Sequence, residues 1–395
     1  MLKGVQLSLM IGDVVTSPMP AEVVEALTSV QVTVGSGQRS GFQLSFAAGK
    51  MSPITTRLLP SGYFDPPRRV IIVATINGKA EVLIDGCITR HEVSVSNDPG
   101  HSTVTITGED LSVLMDMIDW TGIFRYPAMP FEARVLICVG KYAPFGIIPM
   151  IIPSVLINVE NPLTRMPGHQ GTDYEYVRYM AESVGYTFYM DPGPMPGMSK
   201  AYWGPEIKFG IPQPALTVSS DAHSNVESLS FSFDGLSKKL FIFYVQTPAT
   251  PPVSFPIPLP DITPLNPPLG PKVPFPLRTE FQGRPPERRR RPPPPEEEDS
   301  EEGTARMPPT QAVLIAMAKA ARSADVITGS GQLNVLRYGR ILKARQLVAV
   351  RGAGLAYDGF YYVKSVTHNL KRGEYKQSFS LTRNAHLPYG ERVPV

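Results

Sequence analysis

Residues Thr172–Met190, TDYEYVRYMAESVGYTFYM, carry a complete helix-to-strand signal. Thr172 followed three residues later by Glu175 forms a capping box, in which each side chain satisfies a backbone amide left unpaired by the first turn. Val177, Met180, Ala181 and Val184 recur at helical spacing and make one apolar stripe. Gly185 supplies the left-handed residue that stops a helix. Tyr186 to Met190 then has the aromatic and β-branched chemistry of a strand.

Outward from that unit the chain is written mostly in strands. Pro20 to Val30 predicts a short helix with proline near its start. VQVTVG and GFQLSF alternate around the turn SGQRSG. Val70–Ile76 runs into Asn77-Gly78, a strong hairpin signal. Glu81–Ile84 returns, a turn is expected at Asp85-Gly86, and Cys87–Ser96 and Ser102–Thr107 follow. Strands so closely spaced predict a small antiparallel barrel or sandwich. A helix from Glu109-Asp110 is expected to turn Leu111, Leu114, Met115 and Ile118 inward, and Ala133–Val139 reads as a strand.

The second half repeats the pattern. Residues 215–220, Val226–Phe233 and Lys239–Gln246 alternate. Thr310 is expected to cap a helix over Gln311–Ala324. Gln346–Arg351, Gly359–Thr367 and Glu374–Thr382 are strands, and the 215–246 strands are expected to complete a second barrel with 340–383. Between Thr247 and Pro309 lie close to half of the 42 prolines and the run ERRRRPPPPEEEDSEE. Proline blocks both helix and ladder, so this stretch reads as an insertion without a core of its own.

The fold class is therefore mainly β with short helices (α+β). Expected domains are 1–125, a first antiparallel β-barrel, and 126–210, a helix-strand unit. A second, discontinuous barrel is expected from 211–246 and 310–395, with 247–309 inserted.

Composition narrows function. The 38 basic and 35 acidic residues leave a formal charge of +3, too little for a broad nucleic-acid-binding field. Arg288–Arg291 is neutralised by the acids beside it. Cys87 and Cys138 are too few for a disulfide framework or zinc ribbon and read as buried thiols. The N-terminal run reads as a strand rather than a signal peptide, and Phe145–Ile157 is too short to span a bilayer. Synthesis in the cytoplasm and no membrane insertion are the expectation.

No catalytic, cofactor or metal residues are predicted. His91, His101, His169, His223, His368 and His386 form neither HExxH nor a zinc-ligand spacing. Asp221, His223 and Ser224 crowd one loop, whereas triad members converge from separate places on a scaffold. Gly35-Ser36-Gly37-Gln38 and Gly329-Ser330-Gly331-Gln332 lack a phosphate-binding pattern and read as turns. His368, placed opposite Val366 in its strand, reads as structural. Glu175 and Glu182 read as capping and solvated.

Four stretches together resemble the baseplate hub proteins of contractile phage tails and related injection systems, including the late-control D family and the hub half of type VI secretion spike proteins. They are SVQVTVGSGQRSGFQLSF with IDGCITRHEV, then VTITGEDLSVLMD, then DYEYVRYMAESVGYTFYM, and last Gly359–His368 with Gly373–Leu381. The resemblance implies two tail-tube-like barrels per chain and a homotrimer joining a hexameric tail tube to a trimeric central spike, beside baseplate wedge components. It implies no enzyme, no cofactor and no nucleic-acid sequence recognition, in a protein that ends up in a virion tail or phage-tail-like particle. No β-helical needle follows residue 383 and no lysozyme-like insertion is present, so spike and hydrolase would be other chains. A stand-alone β-rich binding protein and a particle-associated cell-wall hydrolase are the alternatives.

Overall fold

The computed structural model describes residues 4–96, 102–154, 167–218, 224–246, 254–259, 266–282, 316–321 and 323–389. The strands are β1 Val5–Gly12, β2 Thr16–Pro18, β3 Leu27–Gly35, β4 Gly41–Ala47, β5 Arg69–Ile76, β6 Lys79–Ser94, β7 Thr103–Asp110, β8 Ile147–Ile151, β9 Thr187–Pro192 and β10 Ser199–Gly204. They continue as β11 Gln213–Thr217, β12 Val226–Phe233, β13 Lys239–Gln246, β14 Ser254–Leu259, β15 Arg278–Gln282, β16 Ile327–Asn334, β17 Leu347–Arg351, β18 Gly359–Lys371 and β19 Glu374–Arg383. Helices α1 Ala21–Ala26, α2 Phe131–Gly140 and α3 Asp173–Ser183 are short. The fold is mainly β, as expected.

The two halves of the sequence meet in one sheet of 13 strands. The first run is β2-β1-β5-β6-β7-β4-β3, and the second is β18-β19-β16-β12 with β17 and β11 off β18. The antiparallel pairing of Ser29–Gly35 in β3 with Ser365–Lys371 in β18 joins them. Among the described residues no ladder closes either run into a barrel. One apolar core runs under both, with Val32, Leu44 and Phe46 from the first and Val366, Phe379 and Leu381 from the second.

The middle unit has its own core of Leu111, Met115, Val135, Val177, Met180 and Trp203. Thr172 caps α3 through Glu175 N, and Glu175 caps back, so both halves of the capping box are made. Gly185 has φ +72°, its amide donates to Glu182 O, and Tyr186 N donates to Ala181 O, the Schellman closure of a helix. The aromatic strand that follows, β9, pairs antiparallel with β10.

Several local expectations need correction. Phe131–Gly140 is a helix, not a strand. Phe131, Val135, Cys138 and Val139 are buried while Leu136 and Ile137 are exposed, which is helical periodicity hidden by strand-forming residue types. The first helix ends at Ala26, and Leu27–Val30 already belong to β3. Leu111, Leu114 and Met115 are buried, but Ile118 lies beyond the 3-10 helix Leu111–Asp116 and is 50% exposed.

Asp85-Gly86 is not a turn but the middle of the 16-residue β6. Asp85 is held by Arg69, and a Cβ on Gly86 would lie 2.1 Å from Glu109 O, so glycine is there to let β7 approach. Gly329 and Gly331 are likewise inside β16, not in a turn. A Cβ would meet the Phe231 ring at 2.9 Å and the Phe379 ring at 2.7 Å; the glycines make room for aromatic rings.

The proline-rich stretch supplies β14 and β15, which flank β13 in a separate three-stranded sheet. β13 therefore does not join the large sheet. Pro256 and Pro258 sit at alternate positions of β14, an edge strand, where a missing N–H can face away from the ladder. Residues 266–272 dock on the chain end: Asn384 Oδ1 accepts from Leu269 N at 2.8 Å, and Lys272 and His386 exchange backbone bonds. The helix expected over Gln311–Ala324 is seen at 316–321; Thr310 and the Arg288–Arg291 run lie outside the described residues.

Candidate functional site

The face of the large sheet turned away from its core carries small, polar, mostly uncharged side chains. Pairing places Ser228, Gln332, Ser378, Thr367, Thr33, Gly41 and Glu109 in one row across seven strands. A neighbouring row reads Ser230, Ser330, Ser380, Ser365 and Gly35. Asn369, Gln31, Gln43 and Thr107 continue the pattern on the other side. Period-two alternation produces this face as directly as it produces the core behind it. Side chains bond along the rows: Ser230 with Ser330 at 2.9 Å, Ser365 with Ser380 at 2.6 Å, and Thr33 with Thr367 at 3.2 Å. Charges on it pair locally, as Lys376 does with Glu227 at 3.0 Å and Glu374 at 2.8 Å. Such a surface offers many weak hydrogen bonds and no strong field.

The middle unit is fastened to this sheet by charged contacts. Arg39 Nη2 lies 2.6 Å from Asp116, and its guanidinium stacks 3.7 Å over Tyr174. Burial would raise the Asp116 carboxyl, but hydrogen bonds from Thr172 and Arg39 outweigh it and hold the group below its usual range. Arg345 pairs with Asp191, donates to Gly35 O at 2.7 Å and lies 3.9 Å over the Tyr189 ring. A cavity of about 280 Å³ lies along the seam, lined by Tyr174, Arg178, Glu206, Lys208, Asp325 and Tyr362. Its charged groups are partly engaged: Lys208 pairs with Asp325 at 2.9 Å, and Glu206 accepts from the Ser36 hydroxyl at 2.7 Å.

Among the described residues, the histidines and acids considered for catalysis form no triad or acid pair. His91 lies 3.9 Å from Asp65. His368 is buried in the core against the Tyr375 hydroxyl at 2.8 Å, on the same side of β18 as Val366 rather than opposite it, since residues two apart share a face. His386 packs on Phe233 and Tyr357. Glu182 pairs with Arg178 at 3.2 Å. Gly35 closes β3 and Gly37, with φ +81°, turns the chain beyond it. Asp221, His223 and His101 lie outside the described residues. Both cysteines are buried, and burial pushes each thiol up to about 12. The structure does gather Cys138, His169 and Asp173, which sequence spacing alone does not connect, and all three are buried.

No protein-family profile and no curated protein matches the sequence. Solved structures do match the fold. The 43 kDa tail protein of prophage MuSo2 from Shewanella oneidensis aligns over 96% of this chain and 99% of its own, with TM-score 0.59 and 13% identity. The tail protein from Neisseria meningitidis MC58 aligns over 96% and 97%, with TM-score 0.58 and 12% identity. A chain of the Francisella PdpA-VgrG complex aligns with all of this chain over 55% of its own length, with TM-score 0.58 and 8% identity. The chain thus has the fold of phage-tail proteins and of a VgrG complex component, the class that the sequence resemblance named.

Proposed function

We propose that this chain is a structural baseplate hub, three copies of which join a hexameric tail tube to a trimeric central spike in a contractile tail or injection particle. The observation that carries this reading is the 13-stranded sheet itself. Two runs of mostly antiparallel strands, joined edge to edge by β3 and β18, set two strand arrays side by side in each chain. Three such chains would present six similar arrays to a sixfold tube and threefold symmetry to a spike. The near-complete mutual coverage with two tail proteins supports a chain of the same extent and fold. In this reading 1–125 and 211–246 with 310–395 are the two tube-like domains, 126–210 lies between them, and 247–309 is an insertion partly strapped to the second. Wedge components of the baseplate would pack outside the ring, and the polar face of the sheet would line its axial channel. The role is non-enzymatic, and the particle is its final location.

A stand-alone binding protein would use the seam cavity, whose ion pairs argue for a structural seam. Solution mass by light scattering, alone and with the candidate spike, tests the proposal. A trimer in either state is expected; a monomer in both overturns it.

A further inference from the structure

We propose that Cys138 Sγ, His169 Nε2 and Asp173 Oδ1 form a binding site for a thiophilic divalent cation, with Zn²⁺ as the natural fit. The three come from different places. Cys138 is on the inner side of α2, Asp173 opens α3, and His169 sits in the segment before it. That segment is fixed by backbone bonds, His169 N to Phe124 O at 2.9 Å and Gly122 N to His169 O at 3.1 Å. The three ligand atoms all lie within 4.8 Å of one another, and Nε2 is 3.8 Å from the Asp173 carboxylate. Bonds of about 2.0–2.3 Å to one ion need ligand atoms roughly 3.3–3.8 Å apart, so closure by about 1 Å suffices.

The independent sign of a ligand is the imidazole. His169 is 1% exposed, and its Nε2 has no hydrogen-bond partner, a costly state for a buried polar atom. Its Nδ1 lies 2.9 Å from the Tyr126 hydroxyl. Donation from Nδ1 to that oxygen leaves the Nε2 lone pair free toward Cys138 and Asp173. The Tyr126 hydroxyl also lies 3.8 Å from Cys138 Sγ. Outer partners of this kind orient metal-binding histidines.

The competitor is Lys141, whose Nζ lies 2.9 Å and 3.1 Å from the two Asp173 oxygens, with Tyr142 donating at 2.9 Å. Lys141 is the outermost member, with a side chain 27% exposed; its Nζ also lies 4.7 Å over the Trp120 and Phe124 rings, and binding requires it to leave these faces for water. Binding replaces the S–H bond by a metal–sulfur bond and releases that proton to solvent. With Lys141 withdrawn, one dication balances one thiolate and one carboxylate. The ion would then tie α2 to the start of α3.

The test is Co²⁺ titration of the full-length protein after dialysis against EDTA. One Co²⁺ per chain is expected, with a thiolate-to-cobalt charge-transfer band that Zn²⁺ abolishes. Cys138→Ser should lose the band, and His169→Gln, which removes a ligand, should weaken binding by more than the roughly 10–100-fold that loss of an outer partner costs. Lys141→Met, which leaves all three ligands in place, should bind the ion more tightly than the wild type. No thiolate band in the wild-type protein overturns the proposal, as does a band that survives in Cys138→Ser. Weaker binding in Lys141→Met would overturn the role given to that lysine.

Discussion

Arg69 and Asp85 form a two-point ion pair between neighbouring strands of the large sheet, Nε to Oδ1 at 2.7 Å and Nη2 to Oδ2 at 2.6 Å. Their side chains are 3% and 0% exposed. Ser199 of β10 donates to the same carboxylate at 3.1 Å, and Arg69 also donates to Val14 O at 2.9 Å. The pair therefore ties the first run of strands to the middle unit. Removing one partner of such a pair strands the other charge, at a cost of about 3–5 kcal/mol. Asp85→Ala should lose that much in urea denaturation, while the double change Arg69→Met with Asp85→Leu should recover most of it. A loss under about 1 kcal/mol for Asp85→Ala would mean that water reaches the site.

The α3 stop gives a second expectation. Gly185 has φ +72°, which a β-branched residue adopts only under strain of about 1–3 kcal/mol. Gly185→Val should lower the melting temperature and loosen the bond from Tyr186 N to Ala181 O, 2.7 Å long in the native chain. Gly185→Asn, which tolerates the same backbone, should cost much less. Equal melting of the Val variant and wild type would refute the strain argument.

What could be read from the sequence was what local chemistry alone decides. The Thr172–Glu175 box, the Gly185 stop, the Asn77-Gly78 hairpin and the closing strands are fixed by neighbours in the chain. Local sequence misleads where a distant partner decides. Asp85-Gly86 reads as a turn until Arg69 and the backbone of β7 are beside it. Gly329 and Gly331 read as turns until Phe231 and Phe379 lie over them. The helical spacing of α2 is masked by the strand-like composition of Val135–Val139. Nor does spacing show that β3 and β18, more than 300 residues apart (the Thr33–Thr367 contact spans 334), share an edge. The polar face follows from period-two alternation, but its breadth is visible only once that join is made.

His368 sets a pH response. Burial lowers its pKa from 6.5 to about 4, so the folded chain holds it neutral. The unfolded chain takes up a proton as pH falls below about 6.5, and the fold does not until about 4. The contribution is complete above pH 6.5 and is lost as pH falls through that window, by up to about 3 kcal/mol. His368→Gln retains a polar partner for Tyr375 but does not titrate. Between about pH 7.5 and about pH 4.5, wild type should lose more stability than this variant, whatever other groups contribute to both. Parallel losses would show that the site admits water when charged.

Asn384 is the seat of the proline-rich strap. It accepts from Leu269 N at 2.8 Å and donates to Pro267 O at 2.9 Å, and it is 3% exposed. Asn384→Ala leaves both backbone groups without their partner, at a cost of about 1–3 kcal/mol. Faster limited proteolysis within 266–282 is expected, with the large sheet intact by circular dichroism. Unchanged cleavage would assign the docking to the Lys272–His386 backbone pair instead.

The channel assignment can be tested on the polar face itself. Ser378 is half-buried on the outer side of β19, and the native cysteines are buried, so Ser378→Cys gives a single accessible thiol. Replacing one hydroxyl by a thiol there disturbs no core contact, and the variant should melt within about 0.5 kcal/mol of wild type. As an isolated chain it should react with both a small maleimide and a maleimide carried on a long polyethylene glycol. In the trimer on its spike, a channel-facing position should still take the small reagent, which diffuses along an aqueous passage, while the large one is excluded. Reaction with both in the assembled state would put this face on the outside of the ring. Reaction with neither would bury it between subunits, and the lining would have to be sought on another surface of the chain.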